Sequence, residues 1–213
     1  MSERTTADLR RLDEAEIREI LGVPEPPVVD KIDRVLSETA RRFIAHSPFV
    51  CLATAGERGA DCSPRGDGPG FVLAHGAHTL SVPDRTGNAL ADSFRNILES
   101  PLLGMLFLVP GMRETLRVNG TGFVTDDIDL RRRHEADGRM PKLVLVVDVD
   151  ECYFHCGKAL IRSALWDATT YLPVSHTVFD SNVFSLRDIE KGALSMSSAG
   201  LNDALEQSYV VDR

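Results

Sequence analysis

The 213-residue chain carries 24 Lys and Arg against 32 Asp and Glu, a formal charge of −8, with 43% hydrophobic and 26% charged residues. That balance excludes wholesale disorder, and a chain of about 200 residues buries enough surface to need no disulfide staples. The acidic surplus argues against a broad nucleic-acid interface, which works by neutralising phosphates, and four cysteines are too few for an extracellular disulfide framework.

Met1 to Thr5 opens the chain without the apolar core of a secretory leader. Residues 101–112, the most apolar stretch, fall well short of the ~20 needed to cross a bilayer. The expectation is a soluble cytoplasmic protein with neither membrane nor nucleic acid as partner. Leu9, Leu12, Ile17, Ile20 and Leu21 recur at helical spacing over 7–21 and stop at Gly22. After a proline-stiffened connector, a second helix is predicted from an Asp30 cap to about His46, burying Ile32, Val35, Leu36 and Phe43.

The pattern changes at Pro48. Residues 49–55, 60–65, 71–75, 79–83, 103–109, 115–125 and 142–154 are short β-prone runs, the first ones punctuated by glycine turns. So many short strands with tight turns favour an antiparallel barrel over alternating βαβ units. Helices are predicted at about 89–99, after an Asp126/Asp127 cap, at about 155–165 and at 201–208. The class expected is α+β, mainly β: a helical extension over 1–47, a barrel over 48–168, and a C-terminal extension over 169–213 packing on the barrel or a partner.

The chemistry concentrates between Cys62 and Asn96. Asn88 is expected to cap the 89–99 helix, whose N-terminus offers unpaired N–H groups and partial positive charge to a phosphate. Arg85 lies just upstream, Arg65 comes from a preceding strand, and Arg95 returns to the Asn88 face after seven residues, ~10 Å along the helix. Two readings of these arginines stand: three forked grips on a phosphomonoester, or solvated ion pairs with Asp67, Asp84 and Asp92. Gly66, Gly68 and Gly70 alternate ahead of a strand rather than a helix, so they are no dinucleotide fingerprint; they read as a bulged or wide hairpin, or as room for a flat ring. Lys158, Arg162 and Trp166 share one face of the 155–165 helix, a basic and aromatic stripe suited to an aromatic phosphate-bearing ligand or to anchoring an interface. Cys152 and Cys156 read as small buried residues rather than metal ligands, and the 131–133 arginines as a solvated helix face.

Ser63-Pro-Arg-Gly-Asp67, Leu80-Ser-Val-Pro-Asp-Arg-Thr-Gly-Asn88, Ser93-Phe-Arg-Asn-Ile-Leu-Glu-Ser-Pro101, Glu114-Thr-Leu-Arg-Val-Asn-Gly120 and Cys152-Tyr-Phe-His-Cys-Gly-Lys-Ala159 together resemble the FMN-dependent, pyridoxamine 5′-phosphate oxidase-like flavoproteins with a split β-barrel. The resemblance covers about 40–168. It implies a homodimer with FMN between the subunits, and either a flavin oxidoreductase acting on an unidentified small substrate or electron donor, or a non-catalytic binder of flavin or of another phosphorylated or tetrapyrrole ligand. Arg65 would contact FMN; Ser81, Val82 and Pro83 would follow ring and ribityl chain through their backbone. Arg85, Asn88, Arg95 and Asn96 would occupy the phosphate region, where the family's usual adjacent Arg-Lys pair is absent. Thr115 and Arg117 would approach the isoalloxazine, with Arg117 or Arg65 tuning its N1/C2 edge, while Lys158, Arg162, Ser163 and Trp166 would reach the flavin of the partner.

Overall fold

In the computed structural model, residues 6–171 and Gln207 are described. Seven strands follow the predicted runs closely: β1 (Phe49–Gly56), β2 (Gly59–Gly66), β3 (Leu73–His75), β4 (Thr79–Pro83), β5 (Leu102–Leu108), β6 (Thr115–Thr125) and β7 (Val144–His155). They form one sheet in the order β2-β1-β5-β6-β7-β4-β3, with every neighbouring pair antiparallel. The mainly β, antiparallel class expected of the sequence is the one observed.

The connectivity dictates the shape. β2 and β3 stand at opposite edges of the order, yet only residues 67–72 join them. In a flat sheet the edges would lie six spacings of ~4.8 Å apart, about 29 Å. Seven extended residue steps reach at most about 25 Å, and this link also folds through a turn in which Phe71 N–H donates to the Gly68 carbonyl. The sheet therefore curls until its edges face each other, without a β2–β3 ladder to close it.

Alternation sends one side of each strand inward. Val50 and Leu52 on β1, Met105 and Phe107 on β5, Leu116 and Val118 on β6, and Leu80 and Val82 on β4 are buried in a common core. Two helices plug it. α3 (Glu38–His46), capped by Ser37 Oγ accepting from Ala40 N–H, inserts Ala40, Phe43 and Ile44; α4 (Asp92–Glu99) inserts Phe94 and Ile97. Phe43 also meets Phe154 edge to face at 5.4 Å.

The N-terminal region departs from the expected single helix over 30–46. The prolines open a short helix at Pro26–Asp30 instead, and residues 31–37 pass through a turn, a single β-bridge at Asp33 and a bend before α3. The cause is tertiary. β4 is short and pairs only with residues 144–148 of β7, leaving the later part of that edge open; Asp33 fills it by exchanging two backbone hydrogen bonds with Cys152 (3.0 and 2.8 Å). Ile32 and Val35 consequently stay partly exposed, while Leu36 and Phe43 are buried as expected. The helix Glu14–Leu21 ends at Gly22, φ +77, with a full capping box between Asp13 and Glu16. Ile128–Arg133 forms a helix capped by Asp127. The predicted helix at 201–208 lies outside the described residues, apart from Gln207.

β6 and β7 shift register between Asn119 and Gly120. A Cβ at Gly120 would sit 2.1 Å from the Asp148 carbonyl oxygen, whereas one at Gly68 would meet nothing. Gly120→Ala is expected to lower stability by about 2 kcal/mol or more and Gly68→Ala by less than about 1, read as shifts of the urea midpoint.

Candidate functional site

Where the curled edges face each other, the ladder runs out. β3 pairs with β4 only through Thr79–Ser81, so Val82 and Pro83 have a strand partner on the β7 side alone. A cavity of about 370 Å³ opens there, lined by Ser63–Gly66 of β2, Phe71, Pro83, the loop 84–90 and Asp92. A second, of about 1050 Å³, lies against residues 84–89 of the same loop and adds Asp67, Gly68 and residues 136, 137 and 139–142, among them Lys142. Both volumes suit a small organic ligand.

Two guanidiniums are built into the first cavity. Arg65 donates from Nη1 to the Pro64 carbonyl (2.8 Å) and from Nη2 to Ser93 Oγ (3.1 Å). Ser63 and Ser93 in turn donate to one oxygen of Asp61 (2.8 and 3.0 Å), so the helix start and the strand are stitched together beneath Arg65. Burial pushes the Arg65 pKa down, opposed by the charges of Asp84 and Asp61. Arg85 donates from Nε to Asp67 Oδ2 (2.6 Å) and from Nη1 to the His134 carbonyl (2.9 Å). With side chains 27% and 29% exposed, the Arg85–Asp67 pair is screened less than a surface pair. Of the two readings of these arginines, the ion pair therefore describes Arg85, with Asp67 as its carboxylate, without removing the cation from the cavity wall.

The start of α4 is not the one expected. Asn88 lines the cavity but does not cap the helix: its Nδ2 donates to Asp84 Oδ1 (3.0 Å), and α4 begins four residues later at Asp92. The capping position falls to Ala91, held in the left-handed region at φ 51 with no side-chain cap. Asp92 pairs with Arg58. This later start moves Arg95 to the exposed side of α4, and Asn96 points inward, donating to Thr54 Oγ1 on β1 (3.0 Å). Neither lines either cavity.

Behind the pocket runs a buried polar chain that the sequence did not single out. Ser81 Oγ lies 2.6 Å from His75 Nε2 and 2.7 Å from Nε2 of His134, which is 4% exposed. The side chains of Ser81 and Val82 are buried, and neither residue lines either cavity. Burial first, then the charges of Arg85 and His75, push the His134 pKa down to about 4, against a hydrogen bond to the Phe71 backbone. Neutral His134 thus accepts from Ser81, which accepts from His75. Asp61, Ser63 and Arg65 alternate along one strand face, and that period-2 spacing was a usable signal; nothing in the sequence links His134 to Ser81.

The remaining predicted residues form a separate group. Pro64, Cys51, Leu106 and Arg117 lie in one cross-strand row, which places Arg117 three spacings, about 14 Å, from Pro64. Thr115 is buried at the start of β6. The predicted 155–165 helix is only one turn, Lys158–Arg162, ended by Ala164 at φ 50. Trp166 therefore shares no helix face with Lys158 and Arg162; its Nε1 donates to the Met112 carbonyl (2.8 Å). Lys158, Arg162 and Ser163 are exposed, and Cys156, expected buried, is exposed while Cys152 is buried. The alternating glycines after Arg65 form the turn of the 67–72 link, with Gly66 bordering both cavities.

The family model described as pyridoxamine 5′-phosphate oxidase matches residues 36–156, more than half of the chain and all seven strands. The chain belongs to the pyridoxamine 5′-phosphate oxidase family. Among solved structures, similar folds include an FMN-binding protein of Syntrophomonas wolfei (16% identity, covering 66% of this chain and 95% of that one, TM-score 0.44). Others are HupZ of Group A Streptococcus (17%, 55% and 90%, 0.45) and a Clostridium acetobutylicum protein related to general stress protein 26 of the pyridoxinephosphate oxidase family (14%, 55% and 86%, 0.43). No functionally curated protein matches the chain. No helix among the described residues is long and apolar enough to cross a membrane.

Because its folded pKa lies below that of an unfolded histidine, His134 binds its proton more readily in the unfolded chain. Its contribution to stability is complete above about pH 6.5 and is lost as the pH falls toward 4, at up to about 1.4 kcal/mol per pH unit. His75 and His155, also shifted down by burial, act with the same sign. His134→Gln is expected to flatten, though not abolish, that slope in urea unfolding measured between pH 7.5 and 4.5.

Proposed function

We propose that this family member is an FMN-dependent oxidoreductase, passing hydride or electrons between the flavin and a small organic substrate. The single observation that carries the reading is the cavity in the split of the barrel. It brings together two partly buried guanidiniums, an uncapped helix start and an unpaired strand edge. The donor set suits a phosphomonoester: both arginines keep N–H groups beyond those already engaged, and the first-turn amides of α4 add partial positive charge. The fit is not one of bulk charge, because Asp84 and Asp92 line the same cavity as Arg65 and Arg85. Selectivity rests on forked geometry rather than on net potential.

In this reading Arg65, Arg85 and the α4 amides grip the phosphate, and Asn88 shapes the loop through Asp84. The backbone edge of Val82 and Pro83 runs along the ribityl chain and ring, while Ser81 supports it from behind through His134. The bound flavin would supply the redox chemistry, and the protein orientation and electrostatics. Arg95 and Asn96 are assigned no contact.

Thr115, Arg117, Lys158, Arg162, Ser163 and Trp166 would join this pocket only as residues of a second copy. The outer sheet face supports such a dimer. Phe49 (38% exposed), Leu102 (65%) and Phe123 (53%) stand there with Ala53, Cys62 and Pro64, an apolar surface of the sort that marks protein interfaces. The division into extension, barrel and C-terminal segment belongs to the same proposal, with α3 contributing core residues to the barrel.

The purified protein is expected to be yellow, or to take up added FMN, with a flavin spectrum that survives dialysis. Arg85→Ala and Arg65→Ala should each weaken FMN binding by more than about 1 kcal/mol in a fluorescence titration, and Arg95→Ala should not. A protein that stays colourless with excess FMN overturns the reading. If FMN binds, anaerobic mixing with NADPH, reduced deazaflavin or pyridoxamine 5′-phosphate separates turnover from storage; flavin unreduced and unoxidised by any of them would favour storage.

A further inference from the structure

The inward face of a strand that covers a core is normally apolar, yet β2 turns Asp61, Ser63 and Arg65 inward. Their ladder partners on β1 are Thr54, Leu52 and Val50, all buried. A charge pointing inward on an edge strand can deter pairing with another chain, but a charge kept for that purpose alone needs no partner. Asp61 has two: Ser63 Oγ (2.8 Å) and Ser93 Oγ (3.0 Å) both donate to its Oδ2. Ser93, the second residue of α4 and 1% exposed, accepts in turn from Arg65 Nη2 (3.1 Å). A carboxylate, a hydroxyl and a guanidinium therefore stand in series. Of the three only Arg65 lines a cavity; Asp61 and Ser93 border neither.

The order of the series matters because a hydroxyl has one proton and turns freely until a partner fixes it. The Asp61 carboxylate can only accept, so it draws the Ser93 proton to its own side and leaves a hydroxyl lone pair facing Arg65. Arg65 then has two anchors on different elements, the Pro64 carbonyl on β2 for Nη1 and Ser93 on α4 for Nη2. Two anchors set the plane of the guanidinium, and its other N–H groups stay available to a ligand. Without Asp61, the Ser93 hydroxyl is free to donate elsewhere and the second anchor loosens. Charge acts in the opposite sense, since a carboxylate beside an anion site repels the anion. Asp61 is therefore useful at this position only if the direction it imposes outweighs the charge it adds.

We infer that Asp61 is a positioning residue which, through Ser93, aims Arg65 at the phosphate of the ligand and so sets the preference of the pocket for a phosphorylated flavin over its dephosphorylated form. This role rests on FMN occupying the cavity in the split, whereas the fixing of Arg65 by Asp61 belongs to the protein without ligand. Orientation and charge give opposite signs. If charge governed, removing the carboxylate would tighten FMN; if direction governs, removing it loosens FMN and spares riboflavin, which has no phosphate to grip.

The test compares the affinities of FMN and riboflavin for the full-length protein and its variants by fluorescence titration. Asp61→Ala is expected to weaken FMN about fivefold, near the scale of one charged hydrogen bond, and riboflavin by less than about twofold. Asp61→Asn keeps a side-chain carbonyl that accepts from both hydroxyls, so it should stay within about twofold of the wild-type FMN affinity. Ser93→Ala should match Asp61→Ala, and the double variant should be no weaker than either, as expected of residues that act in one series. FMN binding that is unchanged or tighter in Asp61→Ala, equal weakening of both flavins, an Asp61→Asn protein as weak as Asp61→Ala, or additive losses in the double variant each overturn the inference. A wild type that binds neither flavin overturns the FMN reading instead, and the Arg65 Nε–H group of the free protein then decides the positioning role. Its heteronuclear NOE, read by NMR, should be that of an ordered group in wild type and Asp61→Asn and that of a mobile one in Asp61→Ala; no difference between them overturns the role.

Discussion

Six residues between β2 and β3 govern this molecule. They are too few to span a flat seven-stranded sheet, so the sheet has to bend round until its two edge strands face each other. The bend buries the inward-pointing residues of every strand and sets α3 and α4 over the core. It also leaves a seam, because β3 is only three residues long and cannot zip the barrel shut. Backbone groups at the end of β4 are left without a second strand partner, and the cavity forms where that edge, β2 and the start of α4 converge.

The seam is lined by groups that hold each other in place. Asp61 collects the hydroxyls of Ser63 and Ser93, and Ser93 receives Arg65; Asp67 and the His134 carbonyl divide Arg85 between them. Each guanidinium is thereby fixed before any ligand arrives, which lowers the ordering cost of binding. The same carboxylates offset much of the positive charge, so recognition by this pocket depends on where donors point. His134 links the two sides: its carbonyl anchors Arg85, and its ring, kept neutral by burial, supports Ser81 under the strand edge. The outer face follows another logic. Apolar residues dominate over β1, β2 and β5, and at the far end of β7 Lys31 and Arg117 stand over the Tyr153 ring.

Much of this was legible in the chain itself, for identifiable reasons. Strand positions follow from period-2 alternation and from turn glycines, both local properties, and all seven runs became strands within a few residues. The loop 84–88 and Arg65 drew notice because their residue types are those of anion sites, and they do line one cavity. The misplaced features have separate causes. Asn88 precedes a helical pattern, which predicts a cap, but Asp84 engages its side chain four residues upstream. The helix over 30–46 fragmented because an open edge of β7 offered Asp33 a better set of hydrogen bonds than a continued helix did.

Composition, charge, strand periodicity and the chemistry of individual loops were determined by the sequence alone, since each depends on residues within a turn or two of one another. What only the tertiary structure decided is which of those pieces meet. Arg85 with Asp67 and His134, Ser81 with His134, and Lys31 against Tyr153 are pairings across 18 to 122 residues of chain. Such pairings come about only when the sheet has curled. Burial then sets the pKa of His134 and leaves His155 without a partner, because both effects measure how much water the folded neighbours exclude.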